Sequence, residues 1–174
     1  MPAPIVSRFA AALFVAAGLA APPPAAADPG DPAGWSLVGD ARGRGFLVWT
    51  PQADAPRRLM LGCLRDVDLV TVTARLPGLV ADARPHRLEL AAGSARHGFD
   101  GAVADEPDDG GVAFRAEIDV DAAGRRALEA GLRPILEGPG PLGLTVESVA
   151  ATVPVAGLAA PARRFRAICF GPRK

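Results

Sequence analysis

The stretch "LMLGCLRDVDLVTVTARL", Leu59 to Leu76, decides how the rest of the chain is read. Its apolar residues fall into two short runs, Arg58 to Leu64 and Asp68 to Leu76, separated by Arg65, Asp66 and Val67. That spacing predicts two strands of a hairpin. Side chains two apart share one face of a strand, so Leu59, Leu61 and Cys63 point together and carry the sulfur inward among apolar neighbours.

The same alternation extends in both directions. Upstream, from Trp35 onward, "GFLVWT" (Gly45 to Thr50) precedes the turn-like "PQADAP". Downstream, "PGLVADARP" leads into "HRLELAA", where Leu88 and Leu90 alternate with Arg87 and Glu89. In "GVAFRAEIDV", Val112, Phe114, Ala116, Ile118 and Val120 take one face and Arg115, Glu117 and Asp119 the other, the pattern of a sheet wet on one side. Between these, "GFDGAVADEPDDGG" reads as a strand starting at Phe99 and running into an acidic loop. The period then changes. "DAAGRRALEAGLRPIL" offers Asp121 as N-cap and Leu128, Leu132 and Leu136 at four-residue spacing beside Ala127 and Ile135, a short amphipathic helix limited by Pro134 and Gly138. "LGLTVESV" and "AATVPV" read as two more strands. "AGLAAPARRFRAIC" repeats Leu158, Ala162, Phe165 and Cys169 at helical spacing, with Pro161 tolerable only in the first turn; "RRFRAICF" also admits a strand. The expected fold is mainly β, a β-rich α+β domain: an antiparallel sandwich-like or curled sheet with one or two short helices packed on it.

The opening residues set the expected compartment. Residues 1–27 carry Arg8, an apolar run from Phe9 to Ala21 and the small residues Ala25, Ala26 and Ala27, the form of a cleavable secretory signal peptide. The apolar run is shorter than the ~20 residues of a spanning helix, and no cysteine near the cut could be acylated. The mature product is thus expected to be exported, without a stable membrane anchor, with residues 28–34 as a flexible lead-in and 35–174 as one domain. In an oxidising envelope the two cysteines, Cys63 and Cys169, most simply form one disulfide. A zinc site would need companion ligands that His86 and His97 do not supply by spacing, and a catalytic thiol would need a base the sequence cannot place.

Charge excludes one class of partner. Cleavage leaves 18 basic groups against 19 acidic, and the arginines are interleaved with acidic and apolar residues, so no nucleic-acid stripe exists. Arginine used almost to the exclusion of lysine reflects the coding bias of a GC-rich bacterial genome and carries no mechanism.

The strand ending "LMLGC", a second strand, a helix near two-thirds of the chain and the closing "VAGLAAPARRFRAIC" together resemble the small exported domains related to VasI-type accessory proteins of type VI secretion. That resemblance implies an accessory domain with no catalytic motif to carry over. The residues themselves carry no recognisable catalytic motif. Around Ser94, "AAGSARHG" lacks the G-x-S-x-G elbow and reads as a turn, with His97, Asp100 and Asp105 as solvated loop residues. Asp105, Glu106, Asp108 and Asp109 read as a solvated acidic tip; the EF-hand spacing is not met. In "EGPGPLG", Pro139 and Pro141 remove the amide donors of a phosphate cradle, so no cofactor is implied.

Three function classes follow. The first is a non-catalytic envelope protein that binds another protein as accessory, adaptor or inhibitor, through loops such as Leu79, Val80 and the tip Asp105 to Asp109. The second is a carrier of a small apolar ligand, which would need a deep cavity. The third is an enzyme such as a hydrolase, which a histidine held by a carboxylate in a cleft would mark.

Overall fold

The computed structural model describes residues 33–39, 43–106 and 111–172. The strands are β1 Gly34–Gly39, β2 Arg44–Thr50, β3 Leu59–Leu64, β4 Leu69–Ala74, β5 Pro85–Ala92, β6 Ala95–Asp105, β7 Val112–Asp119, β8 Leu142–Val146 and β9 Val149–Val153. Helix α1, Ala122–Leu136, follows β7, and α2, Ala159–Phe170, follows β9. The expected signal peptide, residues 1–27, lies outside the described residues, as does the lead-in except for Ala33 and Gly34, the latter beginning β1.

Of the two arrangements expected, one open sheet rather than a sandwich is found, in the order β1-β2-β3-β4-β7-β6-β5-β8-β9 with every pairing antiparallel. It curls strongly. In a flat sheet the two edges would lie roughly 38 Å apart at about 4.8 Å per strand. Instead, the indole Nε1 of Trp35 on β1 donates to the carbonyl of Pro154, the residue after β9, at 2.6 Å. Pairing changes hands along β6, whose residues 95–102 pair with β5 while only Ala102 to Asp105 pair with β7. At Gly101, where pairing changes hands, a Cβ would fall 2.1 Å from the Arg115 carbonyl oxygen, so only glycine permits this approach.

The concave side is filled. Leu59, Leu61 and Cys63 face inward as the alternation requires, with Val70 and Val72 of β4, Leu88 and Leu90 of β5 and Phe114 of β7. The two helices close this core: α1 packs on β5 and β6, α2 on β1 and β2, and each packs on the other. Helix α1 starts where expected, with Asp121 accepting the Gly124 N–H at 2.6 Å. It buries Leu128, Leu132, Ile135 and Leu136, but Ala127 is exposed and Arg125 is buried in its place. The helix runs past Pro134, which sits on the exposed side of its last turn, where a lost hydrogen bond costs least. The C-terminal segment is a helix, not a strand, and buries Leu158 at its N-cap with Ala162, Phe165 and Cys169 along one face.

Cys63 and Cys169 form the disulfide, with Cα atoms 5.8 Å apart and both sulfurs in the core. The C-terminal carbonyls of α2 next to it are met by arginines: Arg65 donates to Ile168 at 2.9 Å and Arg125 reaches Cys169 at 3.4 Å. Arg125 also pairs with Asp68 in the β3–β4 turn, where Asp68 adopts a left-handed φ of 53°. Positive charge at a helix C-terminus is favourable, so one buried guanidinium serves the helix end and the turn together.

Candidate binding cleft at the loop end of the sheet

Antiparallel order brings the 75–84 connection, the β6–β7 hairpin and the β8–β9 turn to the same end of the strands, opposite the Asp68 turn. A cleft of about 150 Å³ opens there, lined by the apolar Leu79, Val80, Val103, Val146 and Val149 and by the polar Asp82, Arg84, His86 and Glu147. The backbone N–H of Asp82 donates to Val103 at 3.4 Å and ties the connection to β6.

His86, the second residue of β5, is inward-facing and only 7% exposed. Its Nε2 lies 2.6 Å from Asp82 Oδ1. Asp82 also accepts from the Arg84 backbone N–H at 2.9 Å and from the Arg84 guanidinium at 2.9 and 3.1 Å. The His86 hydrogen bond first, then the two contacts from Arg84, hold the Asp82 carboxyl far below the ordinary carboxylate range. The other ring nitrogen, Nδ1, lies 3.1 Å from Glu147 Oε1 but off the hydrogen-bond line, and it has no hydrogen-bond partner among the described residues. Glu147 opens the two-residue β8–β9 turn at φ +51°, a position that hairpins normally give to glycine, asparagine or aspartate. Holding a glutamate there costs about 1–2 kcal/mol.

The structure treats the residues expected from sequence unequally. Val80 is 76% exposed and Leu79 is half-buried, and both line the cleft. Asp105 is exposed at the end of β6. Glu106 is not part of a solvated tip: its carboxylate is mostly covered and pairs with Arg115 at 3.2 Å. Asp108 and Asp109 lie outside the described residues. His97 is not a loop residue either. It sits within β6, edge-on to Phe99, and its ring fills the notch left by Gly131 of α1, where a Cβ would fall 2.4 Å from Nδ1. Burial, with Arg87 nearby, pushes its pKa below the ordinary imidazole value.

Sequence reading missed Asp82, Arg84 and Glu147. The one local signal was the four-residue step from Asp82 to His86 across the start of a strand; Glu147 is supplied by a hairpin sixty-one residues later. A larger hollow of about 350 Å³ lies where the end of α1 meets the start of α2, but its mostly buried charge, Arg166, is already held by Glu129 and Glu137. Among the described residues no cluster of three His, Cys, Asp or Glu side chains has metal-holding geometry, and no helix is long and apolar enough to cross a membrane. No protein-family model, curated protein or solved structure matches this chain.

Proposed function

We propose that this chain is a non-catalytic exported domain of the bacterial envelope, periplasmic or secreted, that binds another protein through the loop end of its sheet. The observation that carries this reading is the filled concave side. A carrier would hold its ligand inside the curl, and helices α1 and α2 occupy that space. What the fold leaves for recognition is its loops, and the most exposed large apolar side chain among the described residues, Val80, stands beside a polar cleft on a disulfide-braced scaffold. The likeness of the cysteine-bearing segments to VasI-type accessory domains points the same way.

A hydrolase is the second reading, favoured by one feature: Asp82 orients His86 as the carboxylate of a catalytic dyad would. Against it, the other ring nitrogen faces a second carboxylate, and no hydroxyl or thiol lines the cleft among the described residues. A photo-crosslinking side chain at Val80 tests the preferred reading, with Val67 as its counterpart at the opposite end, 61% exposed. In the native envelope, Val80 should yield one discrete protein adduct and Val67 none. An adduct at Val67 alone, or none at either position, would reject binding through the loop end.

A further inference from the structure

The Asp82 carboxylate can only accept hydrogen bonds, so His86 Nε2 carries a hydrogen toward it. When the imidazole is neutral, Nδ1 is then a lone pair. It faces Glu147 Oε1, another acceptor, at 3.1 Å without hydrogen-bond alignment. Two acceptors that close repel unless the imidazole takes a proton at Nδ1 or an outside donor stands beside both. Arg84 does not fill that role: it is committed to Asp82 by two bonds and stands 3.8 Å from Glu147 Oε1. Asp82 is thus compensated by hydrogen bonds, whereas half-exposed Glu147 has only a longer ion pair to the same Arg84, at 3.8 Å, and stands in a strained turn. Strain retained at a polar side chain that faces an unsatisfied buried group points to a role beyond folding.

We infer that the cleft is a site for one alkylammonium group, a lysine side chain of the bound protein, which donates to half-exposed Glu147 and reaches the buried His86 Nδ1 once the Glu147 carboxylate turns aside, while its methylenes lie along Leu79, Val80, Val103 and Val149. The size agrees: about 150 Å³ is below the 300–1,000 Å³ typical of small-molecule pockets and suits a single side chain. The apolar walls suit a stem that buries its methylenes and keeps its charged head on polar groups. This inference rests on the protein-binding reading and names the chemistry of its contact.

The test uses the mature chain with nitrogen-labelled histidine at a pH of about 8, above the ordinary imidazole range. Nα-acetyl-lysine methylamide is titrated, with the norleucine analogue as the uncharged control. The His86 ring signals should shift saturably at roughly millimolar probe. His97, the only other histidine, should not move. Glu147→Gln should weaken the response about ten-fold, the loss expected for one charged hydrogen bond. Glu147→Gly, which relieves the turn and so keeps the fold, should do the same. A silent His86, an equal response to norleucine, or an unchanged response in both variants would overturn the ammonium site, as would stoichiometric zinc moving His86 where lysine does not. The two readings fail separately: a Val80 adduct with a silent lysine titration removes only the ammonium site, and a lysine response with no Val80 adduct removes only the protein partner.

Discussion

The two ends of the strands carry matching parts put to different use. At one end Arg125, 9% exposed, meets Asp68 in a turn at φ 53°; at the other His86, 7% exposed, meets Glu147 in a turn at φ 51°. Each pairs a buried base with an acid held in left-handed backbone. At the Arg125 end the donors go to a carboxylate and to a helix-terminal carbonyl, that of the disulfide-bonded Cys169. At the His86 end one ring nitrogen is satisfied and the other, buried against Glu147 beside the cleft, has no hydrogen-bond partner among the described residues. A strained acid alone therefore does not mark a site; what separates the two is whether the buried base has spent its hydrogen-bonding capacity inside the protein.

The comparison can be broken most forcefully at the disulfide. Cys63→Ser and Cys169→Ser should each lower stability by about 4–5 kcal/mol, the chain-entropy value for a loop of roughly a hundred residues, and by the same amount as each other in denaturant titrations. Unequal losses would mean that one sulfur is held by something besides the bridge. Next in size, Arg125→Leu should cost about 2 kcal/mol, since it strands the Cys169 carbonyl while half-exposed Asp68 recovers water. A neutral result would move the Arg125 end into the same open category as His86.

The most direct contrast is between glycine substitutions at the two turns. Both relieve left-handed strain, but aspartate tolerates that region better than glutamate, and Asp68 also loses its arginine partner. Asp68→Gly should therefore destabilise by about 1 kcal/mol, while Glu147→Gly should stabilise by about 0.5–1 kcal/mol in the same thermal or urea measurement. Two losses would show that Glu147 is as structural as Asp68.

The smallest effects are in pH. The lowered pKa of Asp82 means its contribution is full above the ordinary carboxylate value of about 3.9 and is lost as pH falls below it, because the unfolded chain takes up the proton first. His97, also lowered, favours its neutral form in the fold, so stability is full above about pH 6.5 and declines on acidification through that value. Asp82→Asn should flatten the first window and His97→Gln the second. A single window abolished by either variant would mean that the two groups titrate together.

Local period made much of this legible. The faces of β7, the N-cap of α1, the helical spacing around Cys169 and the pairing of the only two cysteines all follow from residues near one another or from simple counting. What period cannot carry is which strands meet. The hairpins are sequential, but β4 joins β7 and β5 joins β8 across intervening elements, and the cleft exists only because of those two pairings. Asp82 and Arg84 look like ordinary turn residues until β8 brings Glu147 beside His86. His97 read as a loop because its neighbours are small and charged; the notch at Gly131, thirty-four positions on, is what makes a strand site for it. Glu106 likewise looked like one of several solvated acids until the hairpin turned it onto Arg115.

The disulfide also dictates an order of events in the making of the molecule. Chains emerge N-terminus first. Cys63 is on β3, and all nine strands precede Cys169, which follows it by 106 positions. Throughout that interval Cys63 has no partner thiol in its own chain. Every described strand is thus synthesised before the bridge can close, so strand pairing can begin without it.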